Sequence, residues 1–71
     1  MIYPNPVEGS MNIKADNFKN GHLKIIDVSG REFISCVYND DVIDASQMPS
    51  GFYILRLSKD QHSAVKKFIK K

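Results

Sequence analysis

The residues of this 71-residue chain that could do chemistry are His22 and His62, Cys36, four of the six aspartates, a handful of serines and a lysine-rich end. A zinc site needs about four ligands in tight spacing. The chain has one cysteine and no paired histidines. His22 and His62 therefore read as surface histidines in turns. Asp27, Asp40, Asp41 and Asp44 lack the oxygen-ligand spacing of a calcium loop and read as turn-forming residues. Ser29, Ser46 and Ser50 lack the strained G-x-S-x-G turn of a hydrolase. Cys36 sits in mid-strand and reads as a small packed residue rather than a nucleophile. The four glycines are scattered, so there is no phosphate-cradling loop. These residue types at these spacings support no catalysis, no metal and no cofactor.

Two features point to binding instead. The aromatic residues Tyr3, Phe18, Phe33, Tyr38, Phe52, Tyr53 and Phe68 could form a stacking platform if several shared an exposed face. A small chain also needs large residues for its core, and core packing is the stronger reading for the set. Phe52 is the member expected to face outward. The second feature is the basic end: four of the ten basic residues lie in the last six positions. Such lysines suit contact with an anionic surface, or equally a solvated sheet edge protected against stray strand pairing.

Size limits what these residues can be attached to. Seventy-one residues make one domain. A core of that size supplies roughly 3–5 kcal/mol of net stability, too little to carve a deep catalytic cleft from. The hydrophobic fraction of 42% and charged fraction of 25% are those of a folded chain. A net charge of +2 is too small to imply a nucleic-acid partner. The single cysteine excludes an internal disulfide. No apolar run approaches the roughly 18 residues of a membrane span. Pro4 and Pro6 stand where a signal peptide would need its apolar region.

The elements follow from alternation and turn chemistry. Pro4 and Pro6 hold residues 3–9 extended, with a turn near Glu8-Gly9-Ser10. Met11, Ile13 and Ala15 alternate with polar residues as a half-buried strand. Asp16 to Gly21 carries turn residues, and Asn20-Gly21 reads as a hairpin turn because both tolerate positive φ. Leu23 and Ile25 mark a second strand, closed by the turn Asp27-Val28-Ser29-Gly30. Arg31 to Tyr38 forms a third strand, rich in β-branched and aromatic residues. Val42-Ile43 starts a short strand, and Ser46 to Gly51 is a loop. From Gly51 to Ser58, Tyr53, Leu55 and Leu57 share one face while Phe52, Ile54 and Arg56 share the other. The last ten residues fit either an amphipathic helix or a strand. A strand is expected, because a sheet this small needs every strand available. Turns every 8–12 residues define an all-β sandwich or barrel.

Four blocks, Tyr3 to Gly9, Leu23 to Gly30, residues 43–53 and Lys67 to Lys71, taken in that order, resemble the C-terminal sorting domain of type IX secretion cargo (type A). Tyr3-Pro4-Asn5-Pro6, followed by Val7 and Gly9, matches the block that opens that family. Leu23 to Gly30, with Asp27 and Gly30, resembles its apolar strand ending in Asp-x-x-Gly. Residues 43–53 resemble its Ile-Asp-x-Ser-x-Leu-x-x-Gly-x-Tyr block, with Ala45 as a filler, Met48 in the leucine place, and Gly51 and Tyr53 as the Gly-x-Tyr pair. Lys67, Phe68, Ile69, Lys70 and Lys71 resemble the terminal apolar strand and its lysines. The family often ends in an apolar-Val-Lys tail, from which Ile69-Lys70-Lys71 departs.

The resemblance implies a small immunoglobulin-like antiparallel β-sandwich of about seven strands. It implies a single sorting domain over 1–71, with the N-terminal passenger and linker absent. It also implies a route from periplasm to cell surface or medium, through an outer-membrane translocon, a shuttle and a sortase-like peptidase, in a member of the Bacteroidota. Gly51 is expected to allow a tight start to its strand, and Tyr53 to bury its ring and tie its hydroxyl to backbone. An exposed edge strand could also support a dimer. The runner-up is a small adhesive or carbohydrate-binding β-sandwich, which shares the architecture. A membrane-surface or nucleic-acid module using the lysine tail is the third.

Overall fold

The computed structural model describes residues 2, 3 and 6–71, with the side chain of Tyr3 excepted. Pro4 and Asn5 of the opening block therefore lie outside the described residues. Seven strands follow in chain order: β1 (Ile2–Tyr3), β2 (Ser10–Ile13), β3 (His22–Asp27), β4 (Glu32–Val37), β5 (Val42–Asp44), β6 (Gly51–Lys59) and β7 (His62–Lys70). One turn of 3-10 helix, Asp16–Phe18, links β2 to β3.

The strands make two antiparallel sheets, one in the order β1-β2-β5 and one in the order β4-β3-β6-β7. With the strands lettered A to G, this is A-B-E packed on D-C-F-G. It is an immunoglobulin-like sandwich whose fourth strand has joined the larger sheet. The two apolar faces close on each other because neither sheet can shield its own.

Period-2 alternation decides what each strand buries. Leu23 and Ile25 of β3, and Tyr53, Leu55 and Leu57 of β6, face the core from the larger sheet. Met11 and Ile13 of β2 answer from the smaller one. Ala45 and Met48, in the loop after β5, are buried as well. A bulge where Phe33 is inserted opposite β3 turns both Phe33 and Ile34 toward this core.

The residues after Gln61 form strand rather than helix, in register with β6 along all nine residues from Lys59↔His62 to Gly51↔Lys70. A two-residue turn at Asp60-Gln61 sets that register, with Asp60 at φ 56°. Pairing on a long ready-made neighbour overrides the local helical pattern of Val65, Phe68 and Ile69.

Two expectations need correction. Asn20-Gly21 is not a hairpin turn, because β2 and β3 belong to different sheets. Asn20 does take a positive φ of 71°. Gly21 is required for a different reason: a Cβ there would collide with the Ser58 carbonyl oxygen. The pair is a corner that carries the chain between sheets. Its backbone extends the β3–β4 ladder through bonds from Asn20 N–H to Tyr38 O and from Tyr38 N–H to Gly21 O. Second, Cys36 is exposed, not packed. It lies opposite Leu23 on edge strand β4. His22 and His62 are exposed as expected, but as the first residues of strands.

Tyr38 pins the two sheets together. Its hydroxyl accepts from Ala15 N–H at 3.3 Å and lies 3.2 Å from Ile13 O and 3.0 Å from Asp41 Oδ1, its two possible acceptors. Lys19 closes the group, 2.7 Å from Asp41 and over the Tyr38 ring. A buried hydroxyl needs partners of this kind, and here they come from the chain on both sides of the sandwich.

Candidate functional site

The motifs that are far apart in sequence meet at one end of the sandwich. Asp27, Tyr53 and Phe68 stand in a single cross-strand row over β3, β6 and β7. In the next position along, Gly51 pairs with Lys70. Val7 then adds itself to the outside of β7 as a parallel bridge to Lys70. Residues from all four blocks thus occupy one patch.

Val7 is the joint between the two ends. It is fully buried, its N–H donates to Ile69 O at 2.7 Å, and its carbonyl accepts from Lys71 N–H at 2.7 Å. Beside it, Pro6, Glu8, Gly9, Ser10, Asn12 and Lys71 line an open hollow of about 540 Å³. Lys71 Nζ lies 4.0 Å from Glu8 Oε1, with both side chains largely exposed, so this pair holds little. The contact is made by backbone. The only sign of it in the sequence is one branched apolar residue between Pro6 and the polar run Glu8-Gly9-Ser10.

The Gly-x-Tyr pair has a local explanation. Gly51 enters β6 at φ 151°, a conformation that side chains rarely adopt. That places Tyr53 inward, 3% exposed, stacked on Phe68 at 5.7 Å and edge-on to Phe33 at 5.3 Å. Its hydroxyl reaches back to Pro49 O at 2.6 Å. A tyrosine near the start of the sixth strand, bonded to backbone a few residues upstream, is the tyrosine corner of immunoglobulin-like domains. Burial also raises the Tyr53 pKa.

Asp27 acts on its own turn. Oδ1 accepts from Ser29 N–H, Ser29 Oγ–H and Arg31 N–H at 2.7–2.9 Å, and Gly30 N–H donates to Asp27 O at 3.0 Å. These bonds depress the Asp27 pKa, the Ser29 hydroxyl first and the Arg31 amide next. Asp44 does the same for its loop and is depressed by Ser46. Asp41 is held low by Lys19 and then by Tyr38.

A carboxylate with a folded pKa below its unfolded value stabilises the fold above the unfolded pKa. That stability is lost as pH falls through the folded pKa. The melting temperature should therefore hold level from pH 7 to about pH 5 and fall below about pH 4, near the unfolded aspartate value. Circular dichroism melts across this range check it. Asp27→Asn should make the acid arm shallower.

The basic end is not uniform. Lys66, Lys67 and Lys71 are exposed, but Lys70 is only 8% exposed and donates to Lys71 O at 3.2 Å. Phe68 is in the core. The structure thus joins Gly51, Tyr53, Phe68 and Lys70, sets Asp27 beside them, and places Gly30 at the adjoining turn. Lys67 and Ile69 point to the opposite, outward side of the larger sheet. Tyr3 pairs with Asn12 in the smaller sheet. Among the described residues there is no group of three or more His, Cys, Asp or Glu able to hold a metal.

Fold and site together define a small immunoglobulin-like domain whose first and last segments are fastened to each other. The chain belongs to the secretion system C-terminal sorting domain family, whose model matches residues 1–71. Comparison with curated proteins gave no match. The family is that of type IX secretion signals and not of enzymes. Membership implies an interaction with the type IX machinery, and passage through the periplasm to the cell surface or the extracellular space.

Proposed function

We propose that this domain is read as a folded export signal, held by a shuttle and an outer-membrane translocon while its passenger crosses. A sortase-like peptidase then removes it upstream of β1, and the passenger is joined to anionic lipopolysaccharide on the surface of a Bacteroidota cell. The family match over residues 1–71 carries this reading. The packing supports a folded signal over a linear one, because Phe68 and Lys70 of the terminal block are inside the domain. Lys67, Ile69 and Lys71 of that block, with Lys66 just ahead of it, offer exposed side chains to a receptor.

The test is export of a periplasmic fluorescent protein fused ahead of residues 1–71, in a bacterium with type IX secretion. Deleting residues 66–71 is unsuitable, since it also removes Phe68 from the core. Changing Lys66, Lys67 and Lys71, all exposed, to glutamine should keep the fold while removing the exposed charges of the C-terminal run. The intact domain should carry the reporter to the surface, and the triple variant should lower that by about tenfold. An intact, folded domain that stays in the periplasm sinks the proposal and favours a glycan-binding module.

A further inference from the structure

The outward face of the four-stranded sheet has no role in the contacts above. It carries Ile26 directly opposite Ile54, Phe52 opposite Ile69, and Val65 opposite Arg56. Phe52 is 64% exposed, Val65 58% and Ile69 41%. Phe52, Lys67 and Ile69 border a shallow hollow of about 220 Å³. Three cations share the face: Lys24, Arg56 and Lys67. Lys24 is 3.4 Å from Glu32. Arg56 and Lys67 have no carboxylate partner among the described residues.

An exposed apolar strip centred on Phe52, beside cations without carboxylate partners, has the make-up of a protein interface, an apolar centre with an arginine and a polar rim. It fits an anionic bilayer poorly. Anionic lipid is held by clusters of about four to eight cations, whereas this face has two that are unpaired.

We propose that this face is where the export machinery grips the domain, through a protein that sets carboxylates beside apolar side chains. The inference rests on the export reading above and adds the surface and the chemistry of the partner. Arg56 and Lys67 choose the partner's charge, and Phe52 with Ile69 supplies the contact that excludes water.

Three reporter fusions test it: the unmodified domain, a face variant with Phe52→Ser, Arg56→Glu and Lys67→Glu, and a control with Val42→Ser and Lys59→Glu elsewhere on the domain. All the changed side chains of the face variant are exposed, so its melting temperature should stay within a few degrees of the parent. The single variant Lys67→Glu repeats the test with the core untouched. The expected result is at least a tenfold drop in surface reporter for the face variant, with folded protein retained in the periplasm and the control exported normally. Normal export of the face variant overturns the docking face while leaving the export reading standing. An unmodified domain that is not exported overturns both. Binding of the domain to phosphatidylglycerol vesicles, lost in the face variant, would assign the face to lipid and overturn the protein partner.

Discussion

Phe68→Ala should leave this domain close to half unfolded at 25 °C. Phe68 is 2% exposed and stacked on Tyr53. Emptying such a site costs about 3–5 kcal/mol, the lost transfer energy plus the cavity left behind. A domain of this length has about 3–5 kcal/mol in all. The two figures nearly cancel, so urea denaturation followed by circular dichroism should show little or no folded baseline. Phe68→Leu, which keeps most of the volume, should retain a cooperative transition. If Phe68→Ala melts like the parent, the terminal block is not part of the core, and the reading of a folded signal falls with it.

Val7→Ala should lower the melting temperature by about 8–16 °C. The change removes two buried carbons at about 0.8 kcal/mol each and leaves a small cavity, for about 2 kcal/mol in total. One kcal/mol moves the melting point of a domain this size by about 4–8 °C. The loss should also have a local signature. Val7 O is the acceptor for Lys71 N–H, so the Lys71 amide should exchange with solvent faster than amides in the middle of β3. Uniform faster exchange across the domain, with no excess at Lys71, would mean that Val7 fastens nothing in particular.

The strands were legible where the sequence alternates. β6 reads directly, because Tyr53, Leu55 and Leu57 must share a face once the segment is extended. The turn at Asp27–Gly30 and the loop after Asp44 read directly too, since Asp side chains bond their own backbone two residues on. Less was legible where the outcome depends on partners far away in sequence. Asn20-Gly21 has hairpin chemistry, yet the chain turns a corner there, because Leu23 and Ile25 pair with β4 and β6 rather than with β2. Cys36 has the alternation of a packed residue, but on edge strand β4 it is left exposed. Lys70 resembles its neighbours Lys67 and Lys71 in sequence and differs in position alone: opposite Gly51, beneath Val7, it is enclosed. The candidate site was visible as four blocks. That they form one patch became visible only when β3, β6 and β7 were set side by side.

The Val7–Lys70 bridge has a consequence for the order in which the domain is made. It is among the most non-local contacts a chain of 71 residues can form, and contacts of this kind form slowly because their loop must close first. A ribosome reaches Phe68 and Lys70 only after every other core residue. Until then the larger sheet lacks its β7 edge, and nothing fastens Val7. A message that stops short of β7, or a ribosome that stalls there, therefore yields a polypeptide with no finished badge to present. Under the proposed export reading, passage out of the periplasm would be restricted to proteins translated through to this point, a proofreading step that needs no proofreading enzyme.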